Sequence, residues 1–166
     1  MLVTTLNKIK ECKPCDDGWK RLLNHLGKKR ADDEPLSFLT IIKSNGFDHA
    51  LWCTRSAPEY DKQWRLFAVW CAREVQHLLS DKPSLDAINV SEKFANGLVT
   101  KKELEEAREE AMWVASHSAS YAPKYAAWSA ASYAASYAAL TTSSYAADFS
   151  SRDSQKAQFI KIITDG

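Results

Sequence analysis

Between Tyr125 and Leu140 the chain reads YAAW-SAAS-YAAS-YAAL, four tetrads with Ala-Ala at the centre of each. Alanine is the strongest helix former. A step of four residues turns a helix by about 400°, so successive Ala pairs drift by about 40° around the axis. The pairs sweep a broad smooth band, and Tyr125, Tyr133 and Tyr137 form a slanted aromatic ridge beside it. Small residues let neighbouring backbones come close. The repeat therefore predicts a central helix packed tightly on several sides. It constrains architecture far more than chemistry.

The charge pattern points the same way. From Ala111 to Ala147 the single Lys, Arg, Asp or Glu is Lys124. A solvated surface helix carries more charge than that, so the tract belongs inside the protein or at an interface. Elsewhere charge is abundant but uneven. Residues 1–31 are basic, with Lys8, Lys10, Lys13, Lys20, Arg21, Lys28, Lys29 and Arg30 against Glu11, Asp16 and Asp17, and residues 32–110 are acidic by a similar margin. Ser, Tyr and Pro123 interrupt the Ala tract, and Ala and Ser partition poorly into hydrocarbon, which argues against a membrane span. No apolar signal-peptide core precedes Lys8. A cytoplasmic location with reduced cysteines is the resulting expectation.

The rest of the chain also reads as helix, with no alternating strand pattern. Val3 to Glu11 forms a short first helix, and Asp16 or Asp17 caps a second that stops at Gly27. Leu36 to Ser44 ends at Asn45-Gly46, a left-handed terminator. Asp48 caps a short helix through Leu51, Trp52 and Cys53 that ends at Pro58. Tyr60 to Ser80 is amphipathic, with Trp64, Phe67, Trp70, Cys71, Val75, Leu78 and Leu79 toward the core. Ser84 caps a helix to Asn96, with Gly97 as its stop. Thr100 and Glu103 form a capping box, T-K-K-E, that opens a helix running into the Ala-rich region. Pro123 ends or kinks that helix, or sits in the first turn of the next. A closing helix spans Asp148 to Ile163, with Phe149, Phe159, Ile160 and Ile163 as its apolar residues. The expectation is one all-α domain over residues 1–166, a bundle of about seven or eight helices around the Ala-rich helix. An N-terminal subregion covers 1–57 and a second region covers 60–166.

From Trp70 the order of segments is WCAREVQHLL, a turn at DKPS, a short helix ending in FANGLVT, then KKELEEAREEA, the Ala-rich run, and SRDSQKAQFIKII. This order resembles the immunity proteins encoded beside bacterial toxin genes, and related uncharacterised phage and prophage proteins, over roughly residues 64–163. The N-terminal stretch CKPCDDGWKRLLNHLGKKRADDEPLS resembles the phage-type members. The resemblance implies an all-helical protein that acts by binding another protein, a toxin or a host defence factor. It carries no catalytic residues with it.

Candidate chemistry is sparse. Cys12-Lys13-Pro14-Cys15 is a C-x-x-C pair that can supply two thiolates to zinc, and His25 or His49 with Cys53 could complete four ligands. No second C-x-x-C and no paired-histidine motif accompanies it, so Cys12 and Cys15 are weak metal candidates. The expectation is no metal and no cofactor. His77 and His117 have no nucleophile or carboxylate at a diagnostic spacing. The run Glu103, Glu105, Glu106, Glu109 and Glu110 reads as the solvated face of a helix.

Function is therefore read as non-enzymatic protein binding, in the manner of an immunity or phage counter-defence protein. The residues expected to meet the partner are Trp113, Tyr121, Tyr125, Trp128, Tyr133 and Tyr137, because aromatic rings concentrate binding energy at interfaces. The competing placement has all of them filling the core around small Ala positions. The alternative function is a nucleic-acid-associated phage protein using the basic N-terminal third. A small helical enzyme with a site near His117 and the Tyr ridge is the third reading.

Overall fold

The computed structural model describes residues 1–117, 121–132, 135–147 and 149–165, without the side chains of Tyr121 and Tyr137. The chain is all-α: ten α-helices lie among the described residues, with one pair of two-residue strands. The first helices are α1 (Leu6–Glu11), α2 (Asp16–His25), α3 (Phe38–Asn45) and α4 (Phe47–Cys53). Then come α5 (Asp61–Glu74), α6 (Lys82–Ala95) and α7 (Lys101–Ser116). The last three are α8 (Tyr121–Ala130), α9 (Ala135–Ala146) and α10 (Arg152–Asp165).

Local chemistry sets many of the helix ends. The Thr100 hydroxyl accepts from the Glu103 N–H at 3.3 Å, and Glu103 Oε2 accepts from the Thr100 N–H at 2.7 Å, completing the expected capping box of α7. Gly46, at φ 90°, closes α3 as its left-handed terminator. Other caps differ from the sequence reading. Cys15 is the N-cap of α2, Gly46 that of α4 and Asp81 that of α6, where the Ser84 N–H donates to Asp81 Oδ1 at 2.8 Å. Asp16, Asp17 and Asp48 sit in first turns instead, where a carboxylate favours the positive end of the helix.

Long-range partners account for the larger departures. Val3–Thr4 pairs antiparallel with Leu36–Ser37, so α1 starts at Leu6 rather than Val3, capped by Thr5. The amphipathic segment from Tyr60 stops at Glu74 and continues as a 3₁₀ turn, Gln76–Leu78, leaving Leu78 exposed. Phe149 is exposed and lies outside the closing helix.

The main correction concerns the Ala tetrads, which build two helices rather than one. Pro123 lies in the first turn of α8, one of the places expected of it, and α8 ends at Ala130. There Arg65 of α5, 3% exposed, donates its guanidinium to the Ser132 carbonyl at 2.7 Å and the Ala130 carbonyl at 3.4 Å. A cation over the orphan carbonyls of a helix end stabilises that end where it stands. The next helix, α9, packs along both α8 and α5. Ala126, Ala127, Ala130, Ala131, Ala135, Ala138, Ala139 and Ala146 are fully buried, so the Ala pairs do occupy the centre of the protein.

Two kinds of packing meet there. On one side Trp64, Phe38, Phe67, Phe47 and Phe159 interlock edge to face or stacked, with centroids 5.1–6.4 Å apart. The Trp64 indole donates to the Ala57 carbonyl at 2.9 Å. On the other side α6, α7 and α8 close over smaller residues, Ala87, Ala111 and Ala131 with Leu104, and Ala127 and Ala130 with Val69 and Ile88. No helix of the described residues is long and apolar enough to cross a membrane.

Candidate functional site

Of the aromatic residues expected at an interface, the described ones are dispersed over α7 and α8. Trp113, near the end of α7, is 65% exposed and sits beside the exposed Met112. Its ring stacks on His117, with centroids 4.8 Å apart, and His117 Nδ1 lies 2.8 Å from the Trp113 carbonyl oxygen. Tyr125 and Trp128 are half-buried on α8 and meet edge to face at 5.6 Å. Arg108 of α7 covers the Trp128 ring at 5.3 Å. Tyr133 and the side chains of Tyr121 and Tyr137 lie outside the described residues. So among the described members of the expected set, Trp113 stands most open, and Tyr125 and Trp128 serve largely to pack α8.

The face around Trp113 is acidic. Glu109 and Glu110 lie four and three residues before it, on the same side of α7, and both are exposed. Glu103 is held in the capping box, and Glu106 pairs with Lys102. The basic N-terminal third is partly neutralised at home. Lys8 pairs with Glu59, and Lys28 with Asp32 and Glu34, each at 2.6 Å. These contacts hold the Lys8 and Lys28 ammonium groups above the usual lysine range. His117 is engaged at its own helix end, and His25 and His77 are exposed.

A groove of about 470 Å³ opens between α2, α3, α4 and the α1–α2 connection. Trp19, Trp52, Leu22, Ile41 and Leu140 give it an apolar lining, while Cys15, His49 and Cys53 supply the ligand-type atoms. Asp48, also in the lining, is paired with Arg152 of α10. Cys53 is 5% exposed, and burial pushes its thiol up to about 12, with Cys12 and Cys15 adding to the rise and Arg55 opposing it. Burial raises the Cys12 thiol too, again against Arg55. All four cysteines are free, and Cys71 is buried on α5, as its apolar helix face implied.

Sequence reasoning had no means of finding this groove as a whole. Its walls come from five helices, and the Asn45 side chain ties two of them together by donating to the Gly18 carbonyl at 2.7 Å. The C-x-x-C pair and the four-residue step from His49 to Cys53 were the available signals. Comparison with protein-family models, with curated proteins and with solved structures returns no significant match.

Proposed function

We propose that the protein is a non-enzymatic protein-binding module, an immunity-like or phage counter-defence inhibitor, whose target is a toxin or host defence factor. The observation that carries this reading is Trp113, a large ring 65% exposed at the edge of a tract almost without charge. An exposed Trp next to an exposed Met is a natural anchor for a pocket on a partner. The carboxylates of Glu109 and Glu110 on the same helix face select a partner whose pocket is rimmed by Lys and Arg. They also repel a phosphate backbone, so this face suits a basic protein surface rather than nucleic acid.

The test is chemical cross-linking in the native host, read by mass spectrometry. Wild-type chain should trap a basic protein, Trp113→Ala should lose it, and Glu109→Lys with Glu110→Lys should weaken it. Leu98→Ala, a change at an exposed apolar residue just before α7, should leave capture intact. Equal capture by wild type and Trp113→Ala would remove the interface from α7.

A further inference from the structure

We propose that Cys12, Cys15, His49 and Cys53 form a structural zinc site at the base of the groove, tying the α1–α2 connection to α4. The fold gathers these residues from two distant places in the chain. Cys12 is the residue that ends α1, and Cys15 is the residue that precedes α2. Lys13 between them takes a left-handed φ of 56°, which turns the chain sharply within the C-x-x-C pair. His49 and Cys53 stand four residues apart on α4, hence on one face of that helix.

Gly18 reports how close the two pairs come. A Cβ built on Gly18 would stand 3.0 Å from Cys15 Sγ and 3.0 Å from His49 Nε2. Thiol and imidazole therefore border the same small space, and a glycine keeps it open. Gly18 is itself held in place by the hydrogen bond from Asn45. Cys53 lines the groove together with Cys15 and His49, and Cys12 stands three residues before Cys15. The C-x-x-C pair and the His49–Cys53 pair thus approach each other at Cys15 and His49.

The donor set decides the metal. Three thiolates and one imidazole are soft ligands that suit tetrahedral zinc, at about 2.3 Å for sulfur and about 2.0–2.1 Å for nitrogen. Four protein ligands leave no open position, so the role is structural rather than catalytic. Among the described residues no three ligand-type side chains already converge at ligating distance. Binding therefore draws Cys12 and Cys53 in around the Cys15–His49 pair, releasing the three thiol protons to solvent. The resulting site carries a single negative charge, offset by Arg55, two residues after Cys53, and by Lys13 in the groove lining.

Zinc itself is the probe. Protein purified under reducing conditions without chelator should carry about one zinc per chain, and cobalt in its place should give thiolate charge-transfer and tetrahedral visible bands. Cys15→Ser and His49→Ala should each lower zinc affinity by at least about tenfold. Gly18→Ala should lower it as well, because the added methyl enters the space between sulfur and imidazole. His25→Ala should leave it unchanged. Should a ligand variant fail to fold, the wild-type protein decides: a strong chelator should lower its melting temperature, and added zinc should restore it. The proposal is overturned if the protein neither retains zinc nor takes up zinc or cobalt at micromolar concentration. A disulfide among Cys12, Cys15 and Cys53 in the freshly isolated protein would overturn it equally.

Discussion

The two sides of this molecule reach close packing by opposite means. Around Trp64 and Phe159 large rings fill the space between α3, α4, α5 and α10. Around Ala131 and Ala111 the helices α6, α7 and α8 approach until little space is left to fill. α9 serves both, since Ala135, Ala139 and Ala146 lie against the aromatic cluster while the helix runs alongside α8. The difference is one of vulnerability. An aromatic core fails when volume is taken away, and an alanine core fails when volume is added.

The largest expected effect follows from removing volume. Trp64 is fully buried among Phe38, Phe159 and Tyr60, and its indole N–H is satisfied by the Ala57 carbonyl. Trp64→Ala should cost about 3–5 kcal/mol, a large share of the stability of an ordinary domain. Urea unfolding followed by circular dichroism measures it. A cost under about 1.5 kcal/mol would mean that the ring cluster tolerates a void, and the contrast between the two sides would lose its stronger half.

Next comes the residue that divides the alanine tract. Arg65→Met keeps the length of the side chain but removes the donor from the carbonyls of Ser132 and Ala130. Leaving them without a charged partner should cost about 1.5–3 kcal/mol. If the tract had broken on local grounds alone, the substitution would be nearly neutral in the same urea experiment.

That residue also marks where sequence reasoning stopped. Helix ends governed by neighbours were legible: the Thr100–Glu103 capping box, and the Asn45-Gly46 terminator. The all-helical class and the buried alanine band were legible too, because the period of the apolar residues carries them. The division of the tetrads was not, since the side chain that stabilises it comes from α5, 67 residues before the carbonyl it meets. The same holds for Val3–Thr4, whose strand conformation depends on Leu36–Ser37. In the groove, the C-x-x-C pair was visible, but the approach of Cys15 to His49 across Gly18 was not, since Gly18 is held by Asn45 from α3. Among the expected interface residues, composition could not separate Trp113, left open at a helix end, from Trp128, covered by Arg108.

Adding volume should produce the third effect. Ala131 and Ala135 are both fully buried, one among the small residues of α6 and α7 and the other against the aromatic cluster. Leu at either position should cost about 1–3 kcal/mol by overpacking. The pair also sharpens the comparison. Ala135→Leu faces rings that can tilt, whereas Ala131→Leu faces backbones drawn close, so Ala131→Leu should cost more. Unchanged melting temperatures for both would place the tract against solvent.

The smallest effects come from one ion pair on each side. On the alanine side Lys124 Nζ stands 3.5 Å from Asp81 Oδ2, and the two side chains keep 16% and 19% exposure. Asp81 Oδ2 has no hydrogen-bond donor among the described residues. On the aromatic side Lys8 Nζ is closer to Glu59 Oε1, at 2.6 Å, but both side chains remain nearly half exposed. Burial outweighs distance here, because water and salt screen an exposed pair and reach a covered one poorly. Lys124→Met should therefore cost up to about 1 kcal/mol and keep most of that cost in 1 M salt, while Glu59→Gln should cost a few tenths and lose it there. The pH response has one sign for both carboxylates. Burial pushes the Asp81 carboxyl up, but the hydrogen bond from the Ser84 N–H and the Lys124 charge outweigh it and hold it below its ordinary value. The hydrogen bond from Lys8 does the same for Glu59. Each stabilises the fold above its ordinary pKa, and the contribution disappears as the pH falls through the depressed value. In acid titrations of stability, 1 M salt should flatten the Glu59 share and leave the Asp81 share standing. If salt removed both equally, the alanine side would be as wet as the surface, and close packing there would not exclude water.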